Sequence, residues 1–329
     1  MVTPNLSKRF CWMYETTAGT TLLDAVNDIT YYFGIYNDDV KKWNYPSIAN
    51  KITDYHLYNT RNPVLVDGGA TMPPFVHTCI PTSAQHLVWQ LGKCTDVGPP
   101  ETFEAAAYNK VQYALSIRGE QGDGTNEALM QMNGCFSVKL FGVIQAGSPY
   151  TVEQTWEYMN YDDQDDHPNL TTAPVIPDTS DTPYVGLPTV TYDYGGTPYV
   201  IPNVIKFEYL SEAIYSQAYT NTTETAQVIH KERLKPTEFS LTAVFEVNTM
   251  WDDFIDRVGT KEIRVQLYKA DVTEYIIIDL TNVRIESITS EGEGFEGLYI
   301  STLTGKAAAL SGSMTAQGVF ATHFKGETT

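Results

Sequence analysis

The sequence contains no apolar run approaching the roughly 18 residues that a membrane-spanning helix requires. The first eight residues, Met1 to Lys8, carry no apolar segment of a secretory leader, so export by a signal is not expected. Positive charge is scarce: 21 Lys and Arg stand against 40 Asp and Glu, a net charge of −19. A chain of this balance offers phosphates few partners, which argues against nucleic-acid binding and for a solvated acidic surface. Only four cysteines occur, Cys11, Cys79, Cys94 and Cys135, and no two have CxxC spacing. None lies beyond residue 135, so a disulfide framework repeated along the chain is excluded and reduced, buried thiols are expected.

Catalytic signatures are missing as well. His56, His77, His86, His230 and His323 are scattered with no HExxH pairing, and there is no Gly-x-Ser-x-Gly elbow. Gly292-Glu-Gly294-Phe-Glu-Gly297 has the letters of a dinucleotide fingerprint, but a strand pattern follows it where a helix is needed. Glu291, Glu293 and Glu296 would also repel a pyrophosphate, so the run reads as a β-turn. The chain is therefore expected to have no catalytic residue and no cofactor. One candidate for a cation exists, Asp162, Asp163, Asp165 and Asp166 ahead of His167. It lacks the alternating ligands and central Gly of a calcium loop and reads first as a solvated acidic loop.

What the sequence does have is a repeat. Residues 82–92 and 249–259 each open at a Thr able to cap a helix and end at a Gly suited to an αL terminus. Apolar residues fall at Ala84, Leu87, Val88 and Leu91, and at Trp251, Phe254, Ile255 and Val258. Both sets have helical i, i+3, i+4, i+7 spacing, at a constant offset of 167 in 329 residues. A repeat of half the chain predicts two domains.

Elsewhere the pattern has period two. Phe239–Val247, Glu262–Tyr268, Ile205–Tyr209 and Phe136–Leu140 alternate apolar with polar residues, as half-buried strands do. The fold is predicted to be mainly β, antiparallel sheets with a short helix laid across them in each half. In the second half a strand precedes the helix, strands at 262–268 and 274–280 follow it, and Asn282 opens a strand–turn–strand unit. In the first half Phe75–Ile80 precedes the helix, Val111–Arg118 follows, and Asn133 opens the matching unit at an offset of 149. Residues 160–200, rich in Asp, Pro, Thr and Gly, read as an acidic surface connector. The domains are then 1–178 and 179–329.

Two long polar segments sit at matching places, ahead of the strand that leads to each helix. One contains Asn59, Arg61 and Val64; the other contains Tyr215, Tyr219, Glu224 and Ile229. They exceed ordinary loop lengths and read as hairpin arms that reach a neighbouring subunit.

In this order of elements the chain resembles the tail tube (major tail) proteins of long-tailed bacterial or archaeal viruses, in the large form with two fused tube domains. The opening Arg9-Phe10-Cys-Trp-Met-Tyr14-Glu15-Thr16-Thr17-Ala18-Gly19-Thr20 is similar to that family's aromatic strand and Glu-Thr-x-x-Gly-Thr turn. Asn133–Val138 and Pro149–Val152 resemble its Gly-led strand and the strand returning from it. The resemblance implies two tandem β-sandwich or barrel domains, each with a flanking helix, and long hairpins that join neighbours around a lumen. It implies stacked rings that conduct the genome, with three two-domain chains filling six places. The implied partners are other copies of the chain, a tape-measure protein, a tail terminator and tail-tip proteins. DNA would pass as non-adhering cargo along an acidic wall, no membrane is involved, and the protein would reside in the virion tail after assembly in the host cytoplasm. Competing readings are a two-domain β-sandwich adhesin or surface-layer-type binding protein, and a cation-dependent hydrolase built on residues 162–167.

Overall fold

The computed structural model describes residues 7–15, 31–32, 49–56, 63–71, 74–95, 101–106, 115–122, 127–162, 183–219, 226–244, 261–269, 274–294 and 298–315. In chain order the first elements are β1 (Ser7–Tyr14), β2 (Tyr31–Tyr32), β3 (Ala49–His56), β4 (Pro63–Thr71), β5 (Phe75–Cys79) and helix α1 (Gln85–Leu91). There follow β6 (Gly92–Thr95), β7 (Glu101–Ala105), β8 (Leu115–Gly122), β9 (Glu127–Gln145), β10 (Thr151–Glu157) and β11 (Asn160–Asp162). The remainder are β12 (Tyr184–Tyr192), β13 (Tyr199–Ile201), β14 (Val204–Tyr219), β15 (Ala226–Leu234), β16 (Thr237–Val244), β17 (Lys261–Lys269), β18 (Tyr275–Gly294) and β19 (Leu298–Met314). The protein is mainly β, with the described strands paired antiparallel. Among the described residues no helix is long and apolar enough to cross a membrane.

Alternation decides which side of each strand is inside. β16 buries Thr237, Phe239, Leu241 and Ala243 and turns Glu238, Ser240, Thr242 and Val244 outward, and β17 buries Ile263, Val265, Leu267 and Lys269 in the same rhythm.

The pairing pattern occurs twice. The order β2–β1–β8–β9–β10–β5 in the first half is matched by β13–β12–β17–β18–β19–β16 in the second. Even the irregularities coincide. Ser116 of β8 faces two residues of β9, Asn133 and Gly134, while Glu262 of β17 faces Thr281 and Asn282 of β18. The second residue of each bulge is left-handed, Gly134 at φ 65° and Asn282 at φ 52°, conformations that Gly and Asn tolerate best. A second bulge follows at Val138 opposite β10 and at Glu286 opposite β19. Gly134 and Asn282 are 148 apart, as are Val138 and Glu286. The structural offset is therefore 148 rather than 149, because the bulge pairs Asn282 with Gly134 and not with Asn133. Bulges bend and twist a strand, which lets β9 and β18, 19 and 20 residues long, serve two parts of the sheet.

The first of these bulges is held from inside. The Glu15 carboxylate is buried and accepts hydrogen bonds from the Gly134 N–H (2.8 Å) and the Ser116 hydroxyl (2.7 Å). In the second half Glu262, the counterpart of Ser116, instead accepts from the Gly195 N–H (2.7 Å) at an exposed position.

Several expectations need correction. Helix α1 begins at Gln85 rather than at Thr82, and Thr82 does not cap it. Residues 82–84 form a bend, with the buried His86 ring bonded to the Ser83 carbonyl three residues back, so this local contact stands where a Thr82 cap was expected. Gly92 does close the helix in the αL conformation, at φ 90°. The strand expected at 274–280 and the unit led by Asn282 are one strand, β18, because Asn282 bulges without ending the ladder. The connector is also shorter than 160–200, since β11, β12 and β13 lie within that range. Pro188 is accommodated in β12 where the register against β17 shifts. The expected boundary at residue 178 and the expected helix at 249–259 lie outside the described residues.

Strands from the two halves also pair with each other. β14 joins β9 from Lys206↔Gln145 to Glu212↔Lys139, and β7 joins β19 from Phe103↔Gly312 to Glu101↔Met314. A single apolar cluster runs through both, from Trp12, Trp89 and Trp156 to Phe207, Leu241 and Leu303.

Candidate assembly site

The second arm is a hairpin. β14 and β15 pair from Ala213↔Leu234 to Tyr219↔Ala226, placing Tyr215 opposite Lys231 and Ile229 opposite Gln217. Tyr215 is exposed and its hydroxyl donates to Glu157 Oε1 (2.5 Å), so its tip is fixed on the first half. The first arm also belongs to a hairpin, β3–β4, where Val64 lies opposite Tyr55. Asn59, Arg61 and Glu224 lie outside the described residues. Both hairpins are longer than the segments singled out in the sequence, because β3 and β14 begin well upstream of them.

The acidic run does not come together with other ligands among the described residues. Asp162 ends β11, opposite Gln131, while Asp163, Asp165 and Asp166 lie outside the described residues. Among the described residues no group of three or more His, Cys, Asp or Glu side chains is placed to hold a metal. Cys79 and Cys135 are buried thiols, and burial pushes Cys79 up to about 12 and raises Cys135 as well, so neither is a thiolate at neutral pH.

The feature that the sequence did not announce is the seam between β9 and β14. Gly142 lies opposite Tyr209, whose buried ring covers it so closely that a Cβ there would sit 2.2 Å from the ring. The Tyr209 hydroxyl meets the Tyr150 hydroxyl at 2.5 Å, and Tyr150 reaches His86 Nε2 at 2.8 Å. Proton positions follow from the far end of this chain. His86 Nδ1 lies 3.1 Å from the Ser83 carbonyl, which can only accept, so Nδ1 carries the proton and Nε2 accepts from Tyr150. Tyr150 then accepts from Tyr209. Burial holds His86 neutral, pulling its pKa down to about 3 against the opposing hydrogen bond to Ser83. Burial and the nearby His86 bring His77 to about 3 as well. Burial raises both tyrosines above their ordinary range.

A second polar path runs beside the first. Ser137 donates to Gln90 Oε1 (2.8 Å), and Gln90 Nε2 donates to the Ser211 carbonyl (3.1 Å) on β14. Gln154 Nε2 donates to Ser137 Oγ (3.0 Å) and to the His86 carbonyl (3.1 Å). Lys231 of β15 donates to the carbonyls of Trp89 and Gln90, satisfying the end of α1, and burial lowers its pKa to about 7. Helix α1 thus sits as a bolt between the first half and the β14–β15 hairpin. Trp89 packs edge-on between Trp12 (4.9 Å) and Trp156 (5.4 Å).

The outward face of the joined sheet is charged but balanced. Lys206 pairs with Glu208 (2.7 Å), Lys235 and Lys139 with Glu212 (2.8 and 3.7 Å), and Lys306 with Glu238 and Glu286 (3.5 and 3.6 Å). Hydroxyl pairs continue it, Thr242 with Thr302 (3.0 Å) and Ser287 with Thr304 (2.6 Å). Exposed pairs of this kind stabilise little; what they do is hold a polar, neutral sheet surface.

Tyr150, Tyr209, Gln90, Ser137, Gln154 and Ser211 were not foreseen as a group. The available signal was the i, i+4 spacing of His86 and Gln90, a polar stripe beside the apolar one on a helix that turns out to be buried all round. No protein-family model matches the chain, and no curated protein matches it either.

Proposed function

We propose that this chain is the tail tube subunit of a long-tailed virus, built as two tandem tube-type domains, with the segment 249–259 as the second flanking helix. Three copies would close a ring with pseudo-sixfold symmetry, and rings would stack into the conduit for genome delivery. The observation that supports this most is the duplicated six-strand order with its matched bulges. One chain that carries the same strand pattern twice, joined side by side through β9 and β14, supplies two adjacent places in a ring. The charge of −19 fits a wall on which DNA finds no phosphate partners. That acidity must then lie away from the balanced outer face of the β9–β14–β16–β19 sheet. In this reading the partners are further copies of the chain, a tape-measure protein, a tail terminator and tail-tip proteins, with the mature protein in the virion tail.

Negative-stain microscopy of the purified protein tests the proposal. Rings or tubes about ten nanometres across, the width of two stacked-sheet domains on each side of a pore, are expected. A strict monomer at high protein concentration and high salt would overturn it.

A further inference from the structure

The two halves of the strand pattern differ at one edge. β9 has β10 on one side and, over Lys139–Gln145, β14 on the other. Its counterpart, 148 residues on, begins at Ser287 of β18. There Ser287–Glu291 pair with β19, but the ladder to β17 stops at Val283. Among the described residues no strand lies on the other side of Ser287–Glu291. Ser287, Thr289 and Ser290 are exposed, and the run Ser-Ile-Thr-Ser-Glu has no Pro and a single charge. It lacks the usual devices that protect an edge strand from pairing.

The opposite end of the sheet shows the complementary difference. β16 has β19 on one side and β14 on the other, whereas its counterpart β5 has only β10 among the described residues. Hairpin β3–β4 precedes β5 as β14–β15 precedes β16. The chain therefore holds one completed seam, and the two edges needed for a second like it lie at opposite ends of the same ladder.

We propose that Ser287–Glu291 is an interaction edge that receives a second copy of this chain, adding to β18 as β14 adds to β9. The incoming copy presents the side of its first half that carries hairpin β3–β4. The two edges are different surfaces, so the contact is heterologous and copies join head to tail. The inference rests on the self-assembly reading above and names the contact by which it occurs.

The occupied seam gives the register. The Ala146 N–H donates to the Ile205 carbonyl (2.9 Å), and antiparallel pairing alternates, so the amides of Ile144, Gly142 and Leu140 also point at β14. Carried over 148 residues, the amides of Ser290 and Ile288 point at the open edge, away from β19. Ser290→Pro therefore removes a donor the single chain does not use, while blocking an incoming strand.

The test combines microscopy, amide exchange and this variant in the full chain. The wild type is expected to form rings in which the amides of Ile288 and Ser290 exchange at least about tenfold more slowly than in dilute monomer. Ser290→Pro is expected to keep the monomer's circular dichroism and melting temperature and to lose rings. Rings that form normally with Ser290→Pro would overturn the edge assignment while leaving the tube reading intact. So would exchange equally slow in the monomer, which would mean that the chain covers this edge itself. If Ser290→Pro unfolds the monomer, the wild-type exchange comparison alone decides between these outcomes. A wild type that never assembles would overturn the edge and the reading beneath it together.

Discussion

Removing the Tyr209 hydroxyl should cost far less than removing that of Tyr150, and removing both should cost less than the sum. The order of donors sets the magnitudes. In Tyr209→Phe the Tyr150 hydroxyl keeps its bond to His86 Nε2 and loses one incoming donor (2.5 Å), a cost of about 1 kcal/mol. Tyr150→Phe strands two buried groups, the Tyr209 hydroxyl and His86 Nε2, at about 1–3 kcal/mol each. The double variant strands only His86 Nε2, so it should be less destabilised than the sum of the singles by about 3 kcal/mol, the cost of the single Tyr209 change plus that of the stranded Tyr209 hydroxyl. Urea unfolding of the four proteins, read as midpoint times slope, measures that coupling. Because Tyr150 precedes the expected boundary at 178 and Tyr209 follows it, the coupling also reports whether the halves unfold as one unit. Additivity within about 0.5 kcal/mol would refute the shared chain of hydrogen bonds.

Three further outcomes follow from the same contacts. His77 and His86 take protons in the unfolded chain near pH 6.5 but in the folded chain only near 3, so each contributes stability that is intact above pH 6.5 and declines by about 1.4 kcal/mol per pH unit below it. His86→Gln should flatten the dependence of the urea midpoint between pH 6.5 and 4.5, and an unchanged slope would sink this account. Gly142→Val drives a side chain into the buried Tyr209 ring and should destabilise by about 3 kcal/mol or more, seen in the thermal midpoint. Glu15→Ala leaves the Gly134 amide without its acceptor, while the Ser116 hydroxyl still has Asn133 Oδ1 at 3.0 Å, and should cost about 1–3 kcal/mol, whereas Glu15→Gln, which keeps an oxygen there, should cost less than half as much by urea titration.

The parts of this fold that were legible in the sequence are those governed by local rules. Alternation located β16 and β17 because each has one buried face, and Gly92 marked the end of α1 because few other residues accept φ 90°. The start of α1 was misplaced because the contact that fixes it, His86 to Ser83, depends on burial rather than on a capping residue. Asn282 was noticed, but its role as a bulge needs the partner strand to be visible. The seam was not legible at all. Lys206 and Gln145 are far apart in the chain, and nothing in either strand states which neighbour it will choose. The polar residues around it, Gln90, Gln154 and Ser211, look like surface residues until the helix beside them proves to have no exposed side.

The β9–β14 pairing has a further property because both strands belong to one polypeptide. It forms in a unimolecular step, at an effective concentration that a tether of this length sets in the millimolar range, and dilution cannot open it. A chain built this way carries its first contact with it at any concentration. Only contacts between separate chains respond to mass action, so titrating protein concentration sorts the two kinds of seam without altering a residue.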